Sequence, residues 1–157
     1  MLQKYVASGD YTDCFLRDIP GVFSIADFVA AFYTTWLFKL ERFILHRMLS
    51  LPSTDQQARQ LAGGDIDRFA AWYVEGRAHD QLLLCDFRDR TRSWLMAVVG
   101  TGDDGARTRL YFGSAVIANI DNVSGKQSLG TRYSLLLGLH KLYSRALLYT
   151  AARKLTR

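Results

Sequence analysis

The chain has 157 residues, of which 49% are hydrophobic and 22% are charged. This is the length of one ordinary domain, and the composition is sufficient to bury a core, so extensive disorder and a coiled coil are not expected. The mean hydropathy is -0.03, and no apolar run is long enough for a membrane span. We therefore expect a single globular domain over residues 1–157.

Twenty Lys and Arg residues against fifteen Asp and Glu residues give a net charge of +5 and a pI near 9.4. A basic protein can bind polyanions, but here acids stand beside the cations: Asp86 and Asp89, for example, flank Arg88. This mixed surface favours a protein that does not bind nucleic acid.

Two cysteines, Cys14 and Cys85, stand among apolar neighbours and outside any C-x-x-C pair. The pattern predicts two buried free thiols. The first ten residues lack the basic start and apolar run of a signal peptide, which favours a cytoplasmic location.

The sequence of the N-terminal third predicts one strand that is followed by a helical run. The strand is expected over residues 11–17, before Pro20. Ser24, followed by Asp27, is a helix-capping signature, and apolar residues then recur at helical spacing as far as position 51.

Two β-branched residues, Thr34 and Thr35, interrupt that helical run. They leave open whether it forms one long helix or two helices that meet at an angle. A further short helix is predicted over residues 56–61, before Gly63 and Gly64.

Four strands with short connections are predicted next, followed by a long helix. The strands are expected over residues 68–75, 81–87, 91–99 and 107–118, and the helix from about 128 to 153. The order predicts an α+β fold: a curved antiparallel sheet of about five strands, two or three N-terminal helices and a long C-terminal helix.

Hydrophobic and polar residues alternate weakly in these strands. In the third strand of the meander, Trp94 and Met96 project to one side while Leu95 and Ala97 project to the other. A sheet with one solvated face should alternate cleanly. Three explanations stay open: more helices cover the second face, a second subunit covers it, or the sheet curls around a cavity, which we favour.

Residues 65–118 resemble a bacterial domain family of unknown function. The resemblance rests on four segments: Trp72–Glu75, Leu82–Leu84, Ser93–Leu95 and Thr108–Ala115. Members of that family are sometimes fused to nucleotide-sugar-epimerase-like domains and are thought similar to the START-like (SRPBCC, helix-grip) fold. The resemblance implies a cavity between a curved sheet and the terminal helix, and it implies no catalytic residue.

Two titratable residues are candidates for a site. His140 lies on the apolar stripe of the terminal helix, where it could orient a polar ligand, move a proton or serve as a core residue. Glu75 ends the first meander strand. It would have a raised pKa if it faced the interior, or it could pair with Arg77 or Arg92 at the surface.

Large flat side chains could line a pocket or fill a core. They are Trp72, Trp94, Tyr111, Phe112 and Tyr133. Together with Glu75 and His140 they form the predicted ligand-binding set.

Several enzyme signatures are absent: G-x-S-x-G, H-E-x-x-H, and a G-x-G-x-x-G that opens a helix after a strand. No sequence motif therefore indicates a catalytic residue, a metal or a cofactor, and we expect none. The favoured hypothesis is a module that binds an apolar or aromatic small molecule. The alternatives are a homodimeric interaction protein without a ligand, and a cyclase- or hydratase-like enzyme that uses Glu75 or His140.

Overall fold

The computed structural model describes residues 1–49, 53–102, 105–117 and 131–157, without the side chains of residues 41, 44–46, 48, 49 and 131–137. The fold is α+β, as predicted. In chain order the elements are α1 (Gln3–Ala7), β1 (Tyr11–Pro20), α2 (Ile25–Tyr33), α3 (Trp36–Leu49), α4 (Asp55–Gly63), β2 (Arg68–Phe69), β3 (Trp72–Arg77), β4 (Gln81–Asp86), β5 (Thr91–Gly102), β6 (Gly105–Val116) and α5 (Thr131–Leu155). The predicted start of the last helix, at residue 128, lies outside the described residues.

The described strands form one antiparallel sheet in the order β1-β6-β5-β4-β3-β2. Strands β2 to β6 follow one another as a meander, and β1 returns to pair with β6 from Tyr11 opposite Val116 to Pro20 opposite Arg107. The first and last strands are therefore neighbours, although about a hundred residues separate them in the chain.

The N-terminal helical run divides at the two threonines. Ser24 and Asp27 form a complete capping box at the start of α2. The Thr34 hydroxyl bonds back to the Ala30 carbonyl, and the Thr35 hydroxyl accepts a 3.2 Å hydrogen bond from the Phe38 amide at the start of α3. These side chains compete with the helical backbone, which explains why two helices form rather than one.

The predicted strand over residues 68–75 is wrong. Residues 68–69 and 72–77 are two strands that pair with each other, with Arg68 opposite Tyr73. Ala70 lies between them at a φ of 51°, a left-handed conformation that strand residues do not adopt. The described sheet consequently has six strands rather than about five.

The main core lies between one face of the sheet, here called the inner face, and helices α2, α4 and α5. Phe28 and Phe32 of α2 pack there against Leu95 and Phe112 of the sheet, and all four are buried. Further aromatic side chains, Tyr33, Phe38 and Phe69, continue this core with ring centroids 4.7–6.3 Å apart.

The opposite, outer face is covered in part by α1, a short helix that we did not predict. Leu2 and Tyr5 pack on Leu83, Trp94 and Ala115. Of the three explanations for weak alternation, a helix on the second face therefore accounts for the middle of the sheet.

The prediction of two buried thiols holds for Cys85 and is wrong for Cys14, which is exposed. Cys14 stands on the edge strand β1, whereas Cys85 stands on β4, which has a neighbouring strand on each side. None of the described helices combines the length and apolar character needed to cross a bilayer.

Candidate functional site

A cavity of about 210 Å³ lies between the inner face of the sheet and α5. Its aromatic lining comes from α2, α3, the sheet and α5: Phe32, Tyr33, Phe38, Trp72, Phe112 and Tyr143. Its polar lining is Thr91, Arg92, Ser93, Ser114, His140 and Ser144. A few polar groups among aromatic walls is the usual composition of a ligand pocket.

Asp13, Ser114 and His140 meet at one side of this cavity. The Ser114 hydroxyl donates a 2.6 Å hydrogen bond to Asp13 Oδ1, and the Ser114 amide donates to the same oxygen at 3.2 Å. His140 Nε2 lies 2.8 Å from Ser114 Oγ and 3.6 Å from Asp13 Oδ2. The sheet register explains the cluster, because Asp13 and Ser114 are directly opposed in the β1–β6 pair.

The geometry of this cluster determines which group donates and which group accepts in each hydrogen bond. A serine hydroxyl has one proton, which Ser114 donates to Asp13, so Ser114 Oγ accepts from His140 Nε2. In a Ser-His-Asp hydrolase the order is reversed, because serine donates to histidine. The cluster therefore orients the imidazole, and it does not prepare Ser114 as a nucleophile.

Three residues that line the cavity carry a buried polar atom without a hydrogen-bond partner in the described part of the chain. One of them, Arg92 Nη1, belongs to a guanidinium that Tyr5, Glu75 and Asp89 hold on the outer face. The other two are Trp72 Nε1 and Ser144 Oγ. Each such group costs about 1–3 kcal/mol when it is left unsatisfied. Nearby, the Tyr33 and Ser93 hydroxyls lie 3.3 Å apart and satisfy each other. The unpartnered N–H and O–H are therefore the positions where a bound molecule could be recognised.

The predicted ligand-binding residues divide between the two faces of the sheet. Trp72, Phe112 and His140 line the cavity. Trp94 and Tyr111 pack together beneath α1 on the outer face, with ring centroids 6.2 Å apart.

The remaining two residues of the predicted set are Glu75 and Tyr133. Glu75 contacts α1 on the outer face and is therefore separated from His140 by the sheet. The side chain of Tyr133 lies outside the described residues.

Glu75 belongs to an ionic cluster on the outer face. Its carboxylate accepts hydrogen bonds from Lys4 and Tyr5, and it lies 2.6 Å from Arg92 Nε, one of the two partners considered from the sequence. The register of β3 against β4 shifts between Val74 and Gly76, which leaves Glu75 without a partner in β4.

The ionic cluster sets the protonation of Glu75. Burial alone would raise the pKa of its carboxyl, but the hydrogen bonds from Lys4 and Tyr5 and the charge of Arg92 outweigh burial and hold the pKa below its ordinary value. Of the two alternatives for Glu75, the pair with Arg92 is confirmed and the raised pKa is not, so Glu75 stays ionised at neutral pH.

Sequence reasoning missed Asp13, Ser114 and Ser144. Asp13 falls within the predicted strand over residues 11–17, and the pairing of that strand with the last one places it opposite Ser114. Ser144 falls four residues after His140 on α5, a spacing that puts both side chains on one side of a helix. The spacing of His140 and Ser144 is therefore a signal in the sequence for the polar wall of the cavity, whereas the Asp13–Ser114 pair depends on the sheet register.

Comparison of the chain with protein-family models and with curated proteins finds no match in either set. The order of the sheet, with the N-terminal helices and the long C-terminal helix, is consistent with a helix-grip-like topology.

Proposed function

We propose that this protein binds a small aromatic molecule with one hydrogen-bonding group in the cavity between the inner face of the sheet and α5. The observation that carries the proposal is that Trp72 Nε1 and Ser144 Oγ, both buried and unpartnered, belong to residues that line one cavity. A ligand that pairs with them would recover the free energy that their isolation costs.

The volume limits the size of the ligand. A cavity of about 150 Å³ holds benzene. The cavity here, about 210 Å³, suits one aromatic ring with a small substituent rather than a lipid or a dinucleotide. Its walls of Phe32, Phe112 and Tyr143 suit the ring by shape.

The polar groups set the substituent. Trp72 Nε1 can only donate, so the ligand needs an acceptor near it, whereas a serine hydroxyl can donate or accept. A neutral hydroxyl or carbonyl meets this requirement. A carboxylate beside Ser114 would approach the largely buried Asp13 carboxylate, which is hydrogen bonded to that serine, and like charges repel there.

A matched pair of probes tests the proposal. Phenol and toluene have similar shape, but only phenol can hydrogen bond. We expect saturable binding of phenol in protein-observed NMR titrations and weaker binding of toluene. At ten times its Kd, phenol should stabilise the protein by about 1.4 kcal/mol.

Variants then assign the binding to the cavity. Trp72→Phe and Ser144→Ala should each weaken phenol binding about three- to tenfold, the value of one hydrogen bond, and leave toluene unchanged. Trp94→Phe is the control, because Trp94 lies on the outer face and its Nε1 already donates to Gln81 Oε1. No saturable binding of either probe, or equal loss in the Trp94 variant, would contradict the proposal.

A further inference from the structure

Helix α3 carries an apolar stripe on its solvent side. Trp36, Leu40 and Phe43 follow one another at spacings of four and three residues, which places them on one side of the helix. Their exposed fractions are 69%, 51% and 61%, whereas Phe38 on the other side is 3% exposed. We call these three residues the α3 stripe. A contiguous exposed stripe of this kind marks an interaction surface.

A basic groove begins where the stripe begins. It lies between the start of α3 and the end of α5, has a volume of about 570 Å³ and includes Trp36 itself. Its cations are Lys39, Arg153, Lys154 and Arg157. We call these four residues the basic groove. At the other end of the stripe, four residues beyond Phe43, Arg47 is also exposed.

Two of the groove cations are available to a partner. Lys39 is paired with Asp55 at 2.6 Å, and Lys154 donates hydrogen bonds to the carbonyl and hydroxyl oxygens of Thr34. Arg153 and Arg157 pair with no carboxylate among the described residues; Arg153 lies over the Tyr149 ring at 5.9 Å. A partner with exposed anionic groups would compensate both charges.

The charges distinguish between possible occupants of this surface. If two copies packed their α3 stripes together, Arg47, Arg153 and Arg157 of each would approach the same cations of the other, and like charges in an interface are costly. An anionic lipid surface instead supplies an apolar layer for the stripe and phosphates for the arginines. An exposed Trp beside Lys and Arg is typical of helices that lie in a membrane interface.

We propose that the α3 stripe and the basic groove dock this protein on anionic lipid membranes, with α3 in the plane of the interface. Trp36, Leu40 and Phe43 enter the boundary between headgroups and acyl chains, while Arg153 and Arg157 contact lipid phosphates. This docking is independent of any ligand in the cavity beneath α5.

Vesicle co-sedimentation tests the docking. The protein should bind phosphatidylcholine vesicles that contain phosphatidylglycerol, bind pure phosphatidylcholine vesicles far less, and dissociate in high salt. In the bound protein, acyl chains brominated near the headgroup should quench the fluorescence of Trp36, and Trp36→Phe should remove that quenching, because Trp72 and Trp94 lie within the fold.

Two double variants separate the contributions. Trp36→Ala/Phe43→Ala should reduce binding more than about tenfold, and Arg153→Gln/Arg157→Gln should reduce it about fivefold for each arginine. The matched controls are Leu139→Ala/Leu142→Ala and Arg88→Gln/Arg90→Gln, which change exposed residues elsewhere and should bind like the original protein. Circular dichroism verifies that each variant is folded.

Three results would overturn the proposal. One is the absence of binding to anionic vesicles at low salt. Another is binding that the control variants lose as readily as the stripe and groove variants. The third is a dimer in light scattering that Trp36→Ala/Phe43→Ala dissociates, which would identify a second copy as the occupant. If the stripe variant does not fold, lipid quenching of the original protein and the arginine variant still decide the question.

Discussion

Ser114 and Asp13 join the last described strand to the first through a short hydrogen bond, 2.6 Å from Oγ to Oδ1, in a largely buried position. Because the acceptor is a carboxylate, this bond is of the charge-assisted, strong kind. It also determines the orientation of His140, whose Nε2 lies 2.8 Å from the same Ser114 oxygen. One hydrogen bond thus ties the edge strand β1 to β6 and positions the imidazole beside the cavity.

Replacement of Ser114 should therefore be costly. We expect Ser114→Ala to lower the free energy of unfolding by about 1–3 kcal/mol, because Asp13 loses a hydroxyl donor in a buried position. Urea denaturation measures this change. Ser93→Ala is the matched control on the neighbouring strand: its hydroxyl contacts the neutral Tyr33 hydroxyl at 3.3 Å, and it should cost less. An equal loss in the two variants would show that the carboxylate bond has no special strength.

The ionic cluster on the outer face gives a second prediction. Glu75→Gln should destabilise the protein by about 2–4 kcal/mol at pH 7, because it leaves the Arg92 guanidinium, 9% exposed, without its carboxylate partner at Nε. Asp18→Asn breaks the exposed Asp18–Arg109 pair and should have a much smaller effect. Similar losses in the two variants would mean that burial does not strengthen the Glu75 pair.

The same carboxylate should contribute to acid denaturation. The folded pKa of Glu75 lies below its ordinary value of 4.5, since the donors and charge around it outweigh burial. The stability it contributes is therefore complete above pH 4.5 and is lost as the pH falls through the lower, folded pKa. As the pH falls from 4.5 through the folded pKa of Glu75, the difference in free energy of unfolding between the original protein and Glu75→Gln should shrink, as urea titrations at each pH would measure. A difference between the two proteins that is unchanged down to the lowest pH would contradict this.

The two cysteines should react very differently. Cys14 is exposed, whereas Cys85 is buried, and burial raises the pKa of the Cys85 thiol to about 11. With Ellman's reagent at pH 8, one thiol should react in the native protein and the second only after unfolding. Cys14→Ser should remove the native reaction and Cys85→Ser should preserve it. Fast reaction of the Cys14→Ser protein would show that Cys85 is accessible.

The fold could be predicted where local chemistry determines it. The Ser24–Asp27 capping box is a short-range signal that acts in the structure as the sequence predicts. The two threonines after it left one helix or two open, and the structure shows two. Ala70 shows the limit. Its left-handed φ results from the tight β2–β3 hairpin, and alanine has no preference that would reveal such a conformation.

The candidate site could be predicted only in part, because residue type does not reveal which face of a sheet a side chain occupies. Trp72 and Phe112 line the cavity while Trp94 packs under α1, although all three are aromatic strand residues. A one-residue change of register reverses every face. In β3 the alternation places Glu75 on the face opposite Trp72 and Val74, but the sequence does not show that α1 covers that face.

Leu2, the residue that precedes α1, packs closely against Gly113 of the sheet, which gives a final prediction. A Cβ atom at Gly113 would lie 2.8 Å from Leu2 Cδ2, 2.9 Å from the Asp13 carbonyl oxygen and 3.0 Å from Trp94 Cε3. Leu2 can move, but the Asp13 carbonyl belongs to the β1–β6 ladder and cannot move without disturbing it.

We therefore expect Gly113→Ala to lower the free energy of unfolding by about 1–3 kcal/mol and to displace α1, with a change in Trp94 fluorescence. Gly100→Ala is the matched control within the sheet, since a Cβ there meets no atom within 4 Å, and it should leave stability nearly unchanged. If Gly113→Ala were as stable as Gly100→Ala, α1 would not be seated on β6. The ion cluster that joins Lys4 and Tyr5 to Glu75 would then have to hold α1 on the sheet without this contact.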